Sequence, residues 1–191
     1  MTDFLKTFAL LGLMLAAPPV LAQENEDPAA GLDMGQAVGE ENAVGQLYVR
    51  EVHEDWEVRC VRTETENEPC QINQTLRGPD NTAVAEISLF PLPEGQPAAA
   101  GATIVVPLMT LLTEQLTLSV DGAEAKRYNF TWCDPEGCFA RIGLTADDVA
   151  AFKRGAGATI SIVPVTAPEQ RVTVPMSLTG FTDAFDAVNP N

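Results

Sequence analysis

Short stretches in which apolar and polar residues alternate make up most of the chain after its first 46 residues. In DWEVRCV, Trp56, Val58 and Cys60 fall on one side of an extended backbone, and Glu57 and Arg59 fall on the other. Strand side chains point alternately to two faces, so this pattern predicts strands that bury one face. About nine stretches are predicted as strands, namely DWEVRCV, CQINQTL, TAVAEISLF, ATIVVPL, EQLTLSV, KRYNFTWC, CFARIGL, ATISIVPV and RVTVPMSL. Their hairpin-like spacing predicts an all-β fold, an antiparallel sandwich or barrel.

Two other segments predict short helices. TADDVAAFKRG begins with Thr145 as N-cap, has Asp148 three residues later and ends at Gly155, the pattern of a capping box and a glycine stop. The second segment has apolar residues at i, i+3, i+4 and i+7, which are Phe181, Ala184, Phe185 and Val188. This spacing forms one apolar stripe that can pack on the sandwich.

The N-terminal region has the features of an export signal followed by a spacer. Residues 1–22 contain an apolar core, TFALLGLMLAAPPV, and end in Val20-Leu21-Ala22, which suits cleavage by a signal peptidase. Residues 23–46 carry six acidic side chains, no basic ones and no aromatic residue, so we expect a flexible acidic leader. A single β-sandwich domain is predicted over residues 47–191. We therefore expect a periplasmic or secreted protein with no membrane span after signal cleavage.

The chain is strongly acidic, with a formal net charge of −16. That charge repels nucleic acids and anionic lipid surfaces, and no basic stripe offsets it. We expect no nucleic acid partner. The sequence does not set the oligomeric state.

Four cysteines lie in the predicted exported part: Cys60, Cys70, Cys133 and Cys138. An even number of cysteines in an exported protein predicts two disulfides, with three pairings open. Local pairing is favoured because each partner lies one turn away from the other. A long-range bridge such as Cys60–Cys133 stays open, since bridges between sheets occur in other sandwiches.

The stretch TWCDPEGCFARIG allows three interpretations of its two cysteines. A thioredoxin-like site needs two residues between the cysteines and a helix after the first, whereas four residues and a strand-like segment occur here. Asp134 and Glu136 also disfavour a thiolate. A zinc site needs a second close pair of ligands, which the wider Cys60–Cys70 spacing does not supply. The pattern favours a disulfide across a hairpin.

Other catalytic constellations are weak. The single histidine, His53, lies in the polar segment EVHEDW and is expected to be an exposed imidazole rather than part of a triad. Trp56 and Trp132 are expected to pack in the core near the cystines. Glu64, Glu66 and Glu68 alternate along a predicted loop, where solvation alone accounts for them. We predict no catalytic, cofactor-binding or metal-binding residues, and therefore no enzyme and no cofactor.

Several segments together resemble the invasion-associated locus B family of exported proteobacterial proteins. They are DWEVRC (55–60), CQINQ (70–74), LSVDG (118–122), the C…GCFA of residues 133–140 and SLTGFTDAF (177–185). The resemblance implies a compact β-sandwich with two disulfides formed by Cys60, Cys70, Cys133 and Cys138, in the periplasm, at the envelope or outside the cell. In pathogenic members it implies a link to entry into host cells. One departure is VPLMTLLTEQL, since the family pattern has a glycine-containing turn after Val106-Pro107.

The leading hypothesis is therefore an exported, non-catalytic antiparallel β-sandwich of about nine short strands with two short helices and two disulfides. It would bind an unidentified protein or envelope component through exposed edge strands or a surface loop predicted over residues 91–102. The alternative is a periplasmic enzyme, either a thiol-disulfide oxidoreductase using Cys133 and Cys138 or a carboxylate-dependent hydrolase.

Overall fold

The computed structural model describes residues 43–65 and 67–189. The predicted signal peptide and most of the predicted leader lie outside these residues. Of the leader, residues 43–46 are described, and the backbone amide of Gly45 donates to the carbonyl of Arg62 at 2.8 Å. The first strand begins directly after them, at Leu47.

Two antiparallel sheets form the described part of the chain. The eleven strands are β1 Leu47–His53, β2 Trp56–Val61, β3 Cys70–Arg77, β4 Ala83–Pro91, β5 Ala100–Val106, β6 Leu116–Val120, β7 Lys126–Tyr128, β8 Trp132–Asp134, β9 Gly137–Leu144, β10 Gly157–Ile162 and β11 Val172–Ser177. The larger sheet has the order β1-β2-β3-β4-β5-β9-β8, and the smaller has the order β11-β10-β6-β7. The predicted antiparallel sandwich with two helices and two disulfides is confirmed.

The strand count exceeds the predicted nine for two reasons. LYVREVH forms β1, but a bulge between Val49 and Glu51 interrupts its pairing with β2 and its alternation. KRYNFTWC is not one strand but two, because the chain leaves the smaller sheet after Tyr128 and enters the larger one at Trp132. A three-residue helical turn, Leu112–Glu114, precedes β6.

Both predicted helices form. Helix α1 spans Ala146–Arg154, and its N-terminus has the capping box in which Thr145 and Asp148 bond each other's backbone amides. Helix α2 spans Phe181–Val188 and buries Phe181, Ala184 and Phe185. The ring of Phe181 meets the ring of Trp56 edge-on, with centroids 5.3 Å apart. The predicted apolar stripe of α2 thus closes the core beside β2.

A hydrogen-bonded cluster joins the two sheets next to that aromatic pair. The side-chain Nε2 of Gln74, on β3, donates to the carbonyl of Ser177, on β11, at 3.0 Å. The amide of Ser177 donates back to Gln74 Oε1 at 3.0 Å. The indole Nε1 of Trp56 donates to the same Ser177 carbonyl at 3.0 Å. Gln74 is buried, so these bonds replace the water that its amide loses on folding.

Candidate interaction surface

The first disulfide joins Cys60 and Cys70, which lie directly opposite each other on β2 and β3. Their Cα atoms are 4.1 Å apart. The bond closes the loop between the two strands, of which Glu66 lies outside the described residues. Arg50 approaches the bridge, with Nη1 3.3 Å from Cys70 Sγ, and its Nη2 donates to the Ala187 carbonyl at 2.9 Å. The bridge is therefore connected to β1 and to the end of α2.

Tyr48, Arg62 and Glu68 fasten this loop to β1. The Tyr48 hydroxyl donates to the Glu68 carboxylate. The Arg62 guanidinium lies 3.7 Å above the Tyr48 ring centroid and 3.4 Å from the same carboxylate. The bond from Tyr48 lowers the pKa of Glu68 and raises the pKa of Tyr48. Glu68 is thus a structural anchor, whereas the sequence predicted only a solvated side chain.

The second disulfide joins Cys133 and Cys138, which are directly opposite each other on β8 and β9. The turn between them is stabilised by Asp134 Oδ1, which accepts a hydrogen bond from the Glu136 amide at 2.8 Å. Gly137 packs against the Val106 carbonyl so closely that a Cβ would overlap it. Strand β9 follows the second cysteine. The helix N-terminus that stabilises the thiolate of thioredoxin-like sites is therefore not present at this hairpin.

The position of Trp132 shows that one sequence prediction, a core position for both tryptophans, is wrong. Trp56 is buried as predicted, but 43% of Trp132 is exposed. Its neighbour Cys133 must point toward Cys138, which is buried, so alternation along β8 turns Trp132 to the opposite, outer face of the sheet. There it stacks on Phe139, with centroids 4.7 Å apart and planes within 8°. The result is an exposed indole held by an aromatic neighbour and a disulfide-closed hairpin.

His53 is also placed differently from the prediction. It is half-buried rather than exposed, and its Nε2 lies 3.2 Å from Glu51 Oε2. Its carbonyl packs against Gly180, the N-cap of α2. Over residues 43–65 and 67–189, no group of three or more histidine, cysteine or acidic side chains is arranged to hold a metal ion.

Large apolar side chains are exposed in two further places. On β1, Leu47, Val49 and Val52 are about half exposed or more. The second place combines Leu108, Met109 and Leu112, in the connection from β5 to β6, with Val165, in the connection from β10 to β11. The amide of Val165 donates to the Met109 carbonyl at 2.8 Å, so these side chains belong to one surface.

The predicted loop over residues 91–102 is shorter than expected. Strand β4 continues to Pro91 and β5 begins at Ala100, because the amide of Leu92 bonds the Ala99 carbonyl at 2.9 Å and extends the hairpin. The connection covers residues 92–99. Its side chains line an open groove with Val149, Ala150 and Phe185 from the two helices.

The fold and its two bridges define a class of protein, an antiparallel β-sandwich closed by cross-strand disulfides. More particularly, the chain belongs to the invasion associated locus B family, whose sequence model matches residues 56–189. This confirms the family resemblance. Disulfides and membership in this family indicate an exported protein. In the part of the chain that the structure covers, no helix has the length and apolar character needed to cross a membrane.

Two comparisons show how far the similarity extends. Invasion protein B homologs from two strains of Brucella abortus are 25% identical over 145 residues, which covers 75% of this chain and 81% of theirs. The crystal structure of invasion associated protein B from Bartonella henselae superposes with a TM-score of 0.61 at 20% identity, covering 72% of this chain and 94% of that one. The structural match supports the same fold.

Proposed function

We propose that this protein is a non-catalytic binding protein of the periplasm or the extracellular space, and that it contacts an envelope or extracellular partner. The observation that carries the proposal is the exposed indole of Trp132, stacked on Phe139 beside a disulfide. An exposed tryptophan held in one conformation loses little entropy on binding, and tryptophans are enriched among residues that dominate binding energy.

Several features support a binding role rather than a catalytic one. Both cysteine pairs are bonded between neighbouring strands, and Cys138 is buried. The lone histidine is the last residue of β1 and is half-buried, and its backbone carbonyl packs against Gly180 at the N-terminus of α2. The Brucella and Bartonella relatives carry the word invasion in their names. A contact protein outside the cytoplasm is the role consistent with these features.

Capture from the native envelope tests this proposal. The wild-type protein, Trp132→Ala and Glu136→Gln are used as bait under reversible crosslinking. The second variant is the matched control, since Glu136 is exposed on the same hairpin. We expect the wild type and Glu136→Gln to capture the same partner and Trp132→Ala to lose it. Equal capture by all three proteins would show that Trp132 does not contact the partner. Capture of no partner by the wild type would contradict the proposed function.

The enzyme alternative is tested separately by intact mass. After treatment with glutathione and alkylation, an unmodified mass shows two bonds that resist exchange, as expected for structural disulfides. Alkylation of Cys133 and Cys138 alone, together with turnover of a dithiol substrate, would support an oxidoreductase instead.

A further inference from the structure

The two sheets have four edge strands among the described residues, and they differ in what blocks them. Strands β7 and β8 are each three residues long and offer little backbone for pairing. Strands β11 and β1 are six and seven residues long. Exposed edges of that length pair with other strands unless something prevents it.

Strand β11 is blocked at two of its outward-facing positions. Ser177 bonds the Gln74 side chain through both its amide and its carbonyl, so its backbone groups point away from β10. The register with β10 is unbroken, and therefore Pro175 and Thr173 face the same way. Pro175 has no N–H to offer, and Ser177 is already occupied. Of these three residues, only Thr173 could offer both its amide and its carbonyl to an added strand.

Among the described residues, nothing blocks the outward side of β1 in this way. The amide of Val61 bonds the Pro69 carbonyl, so Val61 faces β3, and its partner Leu47 must turn its own backbone groups outward. Val49 has the same orientation by alternation. After the bulge, the two-residue turn directs the backbone groups of His53 toward Trp56 on β2. The backbone groups of the preceding residue, Val52, therefore point outward. In the described part of the chain no strand pairs with this side of β1.

The same three residues also expose their side chains on one face. Leu47, Val49 and Val52 are opposite Val61, Arg59 and Glu57 on the outer face of the sheet, and they are 53%, 48% and 61% exposed. Free backbone groups and a row of apolar side chains therefore coincide. The bulge between Val49 and Glu51 twists the strand, which suits a short added segment rather than continued stacking.

We propose that β1 is a docking edge for a short extended segment of a cationic protein partner, which adds as a strand beside Leu47–Val49 and sets alternate apolar side chains against them. The charge of the partner follows from the charge of this chain, −16, which repels an acidic segment or a second copy and attracts a basic one. Backbone pairing supplies the affinity in this mode, and the apolar row supplies the register.

The probe is a synthetic peptide of alternating threonine and valine with two lysines at each end. A second peptide has glutamates in place of the lysines. Binding to the full exported chain is measured by titration, and hydrogen exchange locates it. Val49→Pro removes one outward N–H without removing a bond to β2, and Val49→Thr is its matched control. A double change, Leu47→Ser with Val52→Ser, removes the apolar row and keeps every backbone group.

We expect the lysine peptide to protect the amides of Leu47 and Val49 and to bind about tenfold more tightly than the glutamate peptide. Val49→Pro and the double change should each weaken binding about tenfold, and Val49→Thr should not. The proposal is overturned by no protection of β1 at millimolar peptide, by equal affinity for both peptides, or by a dimer that Val49→Pro dissociates. It goes beyond the proposed function, because Trp132→Ala leaves β1 unchanged and either result can fail alone.

Discussion

Val49 on β1 and Pro175 on β11 both turn their backbone groups toward the outer side of an edge strand. Neither makes a ladder hydrogen bond to the residue opposite it, which is Arg59 for Val49 and Thr159 for Pro175. On β11 the residue in this setting is a proline, which cannot donate. On β1 it is a valine with a free amide and an exposed side chain. Among the described residues, one long edge of the sandwich is thus blocked by a proline, whereas no strand pairs with the other.

The Gln74 cluster should be essential for stability. Gln74→Leu keeps the volume but leaves the half-buried Ser177 amide without its acceptor and the Ser177 carbonyl with only the Trp56 indole as donor, which should lower the free energy of unfolding by about 2 kcal/mol. Urea denaturation followed by tryptophan fluorescence measures it. Gln71→Leu, at a half-buried position on the same strand, is the control and should change stability by about 0.5 kcal/mol or less. Similar values for the two variants would show that the cluster does not tie the sheets together.

The close approach of Gly180 to the β1–β2 turn gives a second prediction. Gly180 and Gly95 both have a left-handed φ, +83° and +84°, but a Cβ would overlap the His53 carbonyl at the first and meet open space at the second. Gly95→Ala should cost about 1 kcal/mol from backbone strain alone. Gly180→Ala should cost about 3 kcal/mol or more, because the helix or the turn must also move. Equal losses in thermal or urea unfolding would contradict the packing of α2 described above.

The two disulfides should differ in access. Cys133 is exposed on a short edge strand, whereas Cys70 is partly covered by Arg50 and a loop that Tyr48 and Glu68 hold. At limiting dithiothreitol, the Cys133–Cys138 bridge should be reduced first, as read by alkylation and peptide mass. Removing it by a double Cys→Ala change should cost about 2 kcal/mol, from the small loop that it closes. Earlier reduction of Cys60–Cys70 would show that Arg50 and the loop do not shield it.

Acid should loosen the loop that Glu68 holds. The hydrogen bond from Tyr48 lowers the pKa of Glu68 below the usual range of a glutamate, so its contribution to stability is complete above that range and disappears as the pH falls through the lowered pKa. Hydrogen exchange of the loop before Cys70 should therefore rise between neutral pH and pH 3, after correction for intrinsic exchange. Tyr48→Phe removes the bond and should raise exchange already at neutral pH. A loop that exchanges equally in both proteins would contradict the role of this bond.

Much of the fold could be predicted from local patterns. The Thr145–Asp148 capping box, the stripe of α2 and most strands depend on neighbours within a few residues, and alternation or helical spacing reveals them. The sheet-to-sheet contact of Gln74 with Ser177 spans 103 residues and leaves no local pattern. The edge strand β1 was missed because its bulge interrupts the alternation.

The exposed site was the least predictable part, and Trp132 shows why. A tryptophan next to a cystine suggests a core position, but in a strand the side chain next to an inward-facing cysteine points outward. The pairing of Cys133 with Cys138 determines that the Trp132 side chain lies on the outer face of the sheet. Because β8 is an edge strand, that side chain is exposed to solvent. Alternation counted from the cysteine identifies the orientation, provided that the strand is recognised as an edge.

Site-specific photo-crosslinking tests the binding role most directly. A photo-reactive phenylalanine is placed at Glu136, which is exposed on the same hairpin as Trp132, and, in a control protein, at Arg127, which is exposed on β7 of the other sheet. Illumination in the native envelope should give one discrete adduct from position 136, none from position 127, and none from position 136 when Trp132→Ala is also present. Adducts of the same mass from both positions, none from position 136, or an adduct that persists with Trp132→Ala would contradict the proposal that this sandwich binds a partner through its exposed indole.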